Sequence, residues 1–388
     1  MTPEARIAAA AEILDLYLAG EPAERALTRW ARRSRFAGSG DRAAIRDHVY
    51  DAIRRQRSAA AAGGAETGRG LIIGLLRLQG VDPTTMLTGT GYSLPPLSDA
   101  ESAHTPELSE AEALDCPEWL EADLRHSLGG DYARVMNVLR ERADVFLRVN
   151  LARGTLKEAQ AALAGDRIVT EPHPLSTTAL RVIEGARRVS ASEAYRNGLV
   201  ELQDAASQAV SDRIPLPNSG PVLDYCAGGG GKALALAARF DGEIVAHDAK
   251  PARMKDIPAR AARAGARVKT ISHENIARLA PFDVIVADVP CSGSGAWRRQ
   301  PEAKWRLDRP ALAALLATQA EILSEVARLT ADGGAVAYMT CSILQQENTG
   351  QIDRFLQKHP LWDVETCEQL SPLSGGDGFF LSVLRRNA

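Results

Sequence analysis

The sequence predicts an α/β fold in which a mainly parallel, doubly wound sheet follows a small α+β module and an N-terminal helical domain. Three observations carry this. From Gly198 onward, short apolar runs alternate with helical stretches, the pattern of strands joined by crossover helices. One run, 221–224, ends in Asp224 and opens through Cys226 and Ala227 into Gly228, Gly229, Gly230, Gly231 and then Lys232. In this architecture such a glycine-rich bend lies at the ligand edge of the sheet; a plain turn is the other reading of the glycine run taken alone. The first 85 residues carry apolar side chains at near-helical spacing instead.

At 388 residues, 45% of them apolar and 24% charged, the chain suits two or three globular domains. A formal charge of −3 excludes a strongly basic protein but conceals an asymmetry. Arginines cluster between Arg25 and Arg57, whereas residues 97–123 hold nine acids and neither Lys nor Arg. Local patches therefore outweigh the total, and the near-neutral balance suggests a monomer. The N-terminus lacks a signal pattern, and no apolar run reaches the roughly eighteen residues that span a bilayer; a cytoplasmic protein with no membrane partner is expected. Five scattered cysteines, with no CxxC pair, predict neither a disulfide framework nor a metal site.

Taken in order, Ile7, Ile13 and Leu14 mark a helix over 3–19, and Ala26, Leu27 and Trp30 a second. Gly38-Ser39-Gly40 breaks the pattern, and Asp41 caps a helix carrying Ile45, Val49 and Ile53. A further helix covers 69–78. Residues 1–85 thus form a helical domain with a basic face, which reads equally as a solvated helix surface. The acidic, proline-rich stretch 86–116 suits a linker. In 117–197, helices over 117–128 and 132–142 precede a strand at 145–150, a helix at 155–165 and a strand at 179–183, a compact α+β module. Residues 198–388 supply strands at 221–224, 243–248, 268–271, 282–290 and 335–342.

The chemistry gathers at strand ends. Asp248 closes the second strand of the last domain, where an acid often meets ribose hydroxyls; a helix N-cap is the alternative. The strand ending in Asp288 runs into Pro290 and Cys291 inside a polar glycine-rich turn, unlike the apolar run that surrounds a structural cysteine. The next strand ends in Cys341. Two strand-end thiols can share one pocket, and thiolates add readily to electron-poor carbon. Cys226 reads as packing, and Cys116 and Cys367 as ordinary. Residues 296–306 hold Trp297, Arg298, Arg299, Lys304, Trp305 and Arg306, which suits phosphate contact and stacking; packed tryptophans with snorkelling cations are the other reading.

At these positions the chain resembles the RsmB/Sun family of S-adenosylmethionine-dependent RNA 5-methylcytosine methyltransferases. The likeness lies in LVELQDAASQ (199–208), DYCAGGGGKAL (224–234), DVPCSGSG (288–295), RRQPEAKWR (298–306) and TCSILQQEN (340–348). It departs at the loop, where the family has Ala-Pro-Gly-Gly-Lys-Thr and this chain has Gly228 to Ala233. DRAAIRDHVYDAIRR (41–55) is similar to the last part of a NusB-like domain, here trimmed.

The resemblance implies a Rossmann-like methyltransferase domain and a covalent mechanism on an unstacked cytosine of RNA, ribosomal RNA favoured. It implies that Cys341 attacks carbon 6, Cys291 assists elimination, Asp288 stabilises the ring at N3 and Lys232 lines the pocket; for Lys232, a charge at the helix start facing solvent is the alternative. Asp224, Cys226, Ala227, the four glycines, Lys232, Asp248, Asn275 (or Glu274), Asp288 and Pro290 would hold S-adenosylmethionine, with Arg298, Arg299, Lys304 and Arg306 on RNA. Transfer RNA as substrate, a non-catalytic RNA-binding assembly factor and a small-molecule methyltransferase are the competing readings.

Overall fold

The computed structural model describes residues 1–387 and separates into two compact units: Met1–Arg142 with Trp297–Asp308, and Ala143–Ala296 with Arg309–Ala388.

The first unit is helical. Helices Pro3–Leu18, Ala23–Arg33, Ser39–Arg54, Gln56–Gly63 and Gly68–Leu78 enclose Ile13, Leu14, Ile45, Val49, Ile53, Leu71 and Ile73. Thr2 caps the first helix by accepting from the Ala5 amide, and Thr67 caps the fifth from Gly70. The fourth and fifth helices cross backbone to backbone: a Cβ on Gly74 would fall 1.8 Å from the Ala59 carbonyl oxygen. Only glycine allows that approach.

Two stretches beyond residue 85 pack on this unit. Residues 86–116, composed like a linker, pack on this unit because their apolar members Leu87, Leu114 and Cys116 are buried in it. Glu101 binds Arg69 at 2.7 Å, and the buried Asp115 carboxylate accepts from the Ser58 amide (2.9 Å) and hydroxyl (2.8 Å) and pairs with Arg140 at 2.7 Å. By packing, helices Glu121–Leu128 and Tyr132–Leu139, expected to open the 117–197 module, fall within this unit.

The second unit holds two sheets. In the smaller, β1 (Val145–Val149), β2 (Val169–Pro172), β3 (Ala179–Glu184) and β4 (Val200–Leu202) run antiparallel in the order β2-β3-β1-β4, with helix Leu156–Gly165 joining β1 to β2. The larger contains β5 (Val222–Asp224), β6 (Ile244–Ala246), β7 (Val268–Thr270), β8 (Phe282–Asp288), β9 (Thr330–Thr340), β10 (Trp362–Leu370) and β11 (Phe379–Arg386), ordered β10-β11-β9-β8-β5-β6-β7. β5 through β9 pair in parallel, while β11 pairs antiparallel with both β9 and β10. The fold is therefore the Rossmann-like one the sequence implied, with an antiparallel hairpin at one edge.

Val222, Leu223, Val245, Ile285 and Val336 are fully buried, as strands covered on both faces must be. The edge strand β10 alternates charged residues with apolar ones and shows no continuous apolar run, so its pattern did not announce it. The sheets are tied together: Arg148 of β1 donates to Gln203 at 2.6 Å and to the Leu234 carbonyl at 3.3 Å. After β5 the chain builds outward to β6 and β7, then returns to lay β8 on β5's other side. The carboxyl ends of β5 and β8 thus form the switch point where such sheets bind ligands.

Candidate active site

β5 delivers Asp224, fully buried, to the start of the glycine bend. Its Oδ2 accepts from the Ala233 amide at 3.0 Å, while Oδ1 is buried with no hydrogen-bond partner. Burial, reinforced by the charge of Asp288, pushes the Asp224 carboxyl up to about 7. The bend needs glycine where the backbone turns left-handed, at Gly228 (φ +51°) and Gly230 (φ +81°).

Asp248, just beyond β6, anchors this bend: its Oδ2 accepts from the Gly228 amide at 3.0 Å and its Oδ1 from the Lys250 amide at 2.8 Å. Arg253 pairs with the same carboxylate at 3.0 Å. The Cys226 thiol in the bend is pushed well up, chiefly by burial.

Lys232 does not face solvent. Its Nζ donates to the Ser207 hydroxyl at 2.7 Å and to Asp288 Oδ2 at 3.0 Å, and lies 4.5 Å from the centre of the Phe379 ring. Ser207 and Phe379 escaped the sequence reading, since a serine inside a helical pattern and an aromatic in a late strand carry no local mark of a site.

Parallel pairing then aligns the two cysteine turns. Asp288 stands opposite Met339 in register, and the Val289 amide continues the ladder to the Met339 carbonyl at 3.0 Å. Cys291 and Cys341 follow within three residues on each strand, and their sulfurs lie 3.4 Å apart. The Cys341 sulfur first, and burial second, hold the Cys291 thiol well above the ordinary range. Cys291 therefore keeps its proton at neutral pH and can donate it toward Cys341. Behind both turns lies a carboxylate, Glu347, fully buried; in sequence it marked only the opening of a helix.

The remaining expected site residues lie on other elements. Asn275 is exposed and donates to the Ser272 hydroxyl at 3.0 Å at the start of helix His273–Leu279; Glu274 is also exposed. Within the helical unit, two of the cations expected on RNA are buried. Lys304 is 1% and Arg298 5% exposed. Lys304 Nζ donates to the Arg54 carbonyl at 3.1 Å and lies 4.3 Å from the Trp305 ring centre. Burial pushes its ammonium down to about 8. The packed reading holds for these two. Arg299 and Arg306 are exposed, Arg306 bound to Glu302 at 3.0 Å. The same unit has a hollow of about 550 Å³ lined by Trp30, Arg32, Arg35, Arg42 and Arg46. Among the described residues no metal-binding cluster occurs and no helix is long and apolar enough to cross a membrane.

Residues 214–383 match the family model described as 16S rRNA methyltransferase RsmB/F, and residues 116–190 match the RsmF/B-like ferredoxin-like domain. The chain is 33% identical over 269 residues to ribosomal RNA small subunit methyltransferase B of Photorhabdus laumondii, covering 66% of this chain and 62% of that protein. For the namesake in Yersinia pseudotuberculosis the figures are 32% over 281 residues, 68% and 64%. The chain thus spans under two thirds of these relatives' length. Among solved structures, PH0851 superposes with a TM-score of 0.75 at 23% identity, covering 100% of this chain and 99% of that one. NSun6 from Pyrococcus horikoshii with SFG gives a TM-score of 0.62 at 17% identity, covering 70% and 98%. At these identities the structural likeness speaks for the fold alone.

Proposed function

The chain belongs to the RsmB/F methyltransferase family, and from that premise we propose that it transfers a methyl group from S-adenosylmethionine to carbon 5 of a cytosine in RNA, with ribosomal RNA the favoured substrate. The observation that carries the reading is the 3.4 Å separation of the Cys291 and Cys341 sulfurs at the carboxyl edge of β8 and β9. A methyltransferase acting on an already nucleophilic atom has no use for two thiols there, whereas carbon 5 of cytosine must first be activated by addition at carbon 6.

The donor supplies an electrophilic methyl on a sulfonium. Residues suited to hold it are the bend from Asp224 to Lys232, with Asp248, Asn275, Asp288 and Pro290. Two observations support the fit: glycine at the left-handed positions leaves the bend without side-chain bulk, and the buried Asp224 Oδ1 has an unfilled acceptor. Asp248 Oδ1 accepts one donor here, and a carboxylate oxygen has room for about two.

On the substrate, the Cys341 thiolate forms the bond to carbon 6, and the displaced electron pair moves through carbons 5 and 4 toward N3. The Asp288 carboxylate, held in place by Lys232, takes up the proton that Cys341 releases and passes it to N3. Carbon 5, now electron-rich, takes the methyl. Once Cys341 is bonded to carbon 6, the chief cause that holds the Cys291 thiol up is gone; Cys291 releases its proton to solvent and, as thiolate, accepts the carbon 5 proton. The bond from Cys341 to carbon 6 then breaks, and N3 returns its proton to Asp288. A base must leave its stack to enter such a site, which favours a loop, a bulge or unassembled RNA. The exposed Arg299 and Arg306 and the arginine-lined hollow are the cationic surfaces available for phosphate.

Incubation with methyl-labelled donor and, separately, small-subunit ribosomal RNA, transfer RNA or small metabolites tests the reading. Label in 5-methylcytosine of ribosomal RNA is expected. Label in transfer RNA alone would move the substrate class, and binding without transfer would favour an assembly factor.

A further inference from the structure

Glu347 is a carboxylate fully withdrawn from water. The donors that reach it are neutral. Oε1 accepts from the Ser292 amide at 2.8 Å and from Gln319 Nε2 at 3.0 Å; Oε2 accepts from the hydroxyls of Ser292 and Ser342, each at 2.5 Å. Ser292 immediately follows Cys291, and Ser342 immediately follows Cys341. One carboxylate thus grips the residue next to each sulfur.

The surrounding bonds lock this clamp. Gln319 Nε2 also donates to the Pro290 carbonyl at 2.9 Å, fixing the residue before Cys291. Ser294 Oγ lies 2.9 Å from Ser342 Oγ and accepts from the Ile343 amide at 2.9 Å. The Gly295 amide donates to the Cys341 carbonyl at 2.9 Å. Tyr338 of β9 donates its hydroxyl to the Glu347 carbonyl at 2.7 Å. Left to themselves, two polar turns after neighbouring strands would hold their side chains loosely, and a 1 Å misplacement can cost about 10²-fold in rate.

We propose that Glu347 is a positioning residue that sets the separation and facing of the Cys291 and Cys341 sulfurs through Ser292 and Ser342. The proposal rests on the two-thiol reading of the site, but its test does not need RNA. An uncharged isostere would not reproduce the four accepted bonds of Glu347. Were the amide nitrogen of Glu347→Gln at the Oε1 position, it would meet two other donors. At Oε2 it would meet two hydroxyls that must turn round, one of which already accepts from the Leu344 amide at 3.0 Å. The first orientation sets buried donors against one another, and the second breaks the grip of the carboxylate on both hydroxyls.

The test uses the full chain and a mild thiol oxidant, diamide. The Cys291 and Cys341 thiols lose two protons and two electrons to form one S–S bond, and the diazene is reduced to its hydrazine. Because closure needs the sulfurs to meet, its rate reports their positioning. In a background where Cys116, Cys226 and Cys367 are replaced by Ala, Glu347→Gln is expected to slow closure about tenfold or more and to lower kcat for methyl transfer about 10²-fold. The KM for S-adenosylmethionine should stay within about twofold, since that side of the site is untouched, and Glu347→Asp should restore part of both rates.

Closure and kcat within about twofold of the parent would overturn the proposal. Should Glu347→Gln fail to fold, Ser342→Ala, which removes a single hydroxyl, reads the same rate: slowed closure supports the positioning role and unchanged closure overturns it. Should the parent methylate no RNA yet close its disulfide faster than the variant, the positioning role stands and the substrate reading falls.

Discussion

Lys232 Nζ lies 3.0 Å from Asp288 Oδ2, joining the glycine bend after β5 to the end of β8 across 56 residues. The pair sits where the sheet's winding reverses, close enough to the buried Asp224 that the Asp288 charge raises and the Lys232 charge lowers its carboxyl. Lys232→Met should leave the Asp288 charge uncompensated beside that second carboxyl. With Asp288 about 30% exposed, the stability loss should be about 1–2 kcal/mol, short of that for a fully buried pair. Methyl transfer should fall further, about 10²-fold, because N3 loses its oriented proton donor. Melting curves and initial rates on one preparation check this; a variant with parental kcat would contradict it.

The two cysteines should fail differently. Cys341→Ser should abolish transfer, because the carbon 6 bond cannot form. Cys291→Ser should allow addition and methylation but stall release, so that a covalent protein–RNA species accumulates on denaturing gels. Loss of activity without adduct in both variants would remove the assigned division of labour.

Asp224 should make stability depend on pH in a defined direction. Its carboxyl stands at about 7 in the folded protein against an ordinary value near 3.8, so the folded state binds the proton more tightly. That contribution is fully present below about pH 4 and is lost as pH rises through about 7. Asp224→Asn, which keeps an oxygen for the Ala233 amide, should abolish the dependence. The stability of the parent minus that of the variant should decline steadily over this window; a difference independent of pH would show that Asp224 is not buried as a titrating acid.

Cations on the helical unit should separate into packing and binding classes. If the hollow beside Trp30 meets phosphate, Arg32→Gln and Arg35→Gln should each weaken RNA binding and reduce the slope of log K against log salt by about one. Lys304→Met should change neither, because its ammonium donates to the Arg54 carbonyl inside the unit. Filter binding across a salt series reads both; a slope lowered by Lys304→Met would reverse the assignment.

Local pattern in the chain was enough to locate β5 through β9, to put Asp224, Asp288, Cys291 and Cys341 at strand ends, and to mark the bend at Gly228 to Gly231. Those features follow from periodicity, from glycine's access to left-handed backbone and from the rule that parallel strands present their carboxyl ends together. Only the folded chain decided that the sulfurs stand 3.4 Å apart, that Lys304 and Arg298 are buried while Arg299 is not, and that residues 86–116 pack on the helices. Each depends on partners far away in sequence: Ser292 reaches Glu347 across 55 residues, and Lys304 reaches Arg54 across 250. A Glu at the start of a helix and a Lys beside a Trp look the same locally whether they meet solvent or a carbonyl, because burial is a property of packing and not of neighbouring residues.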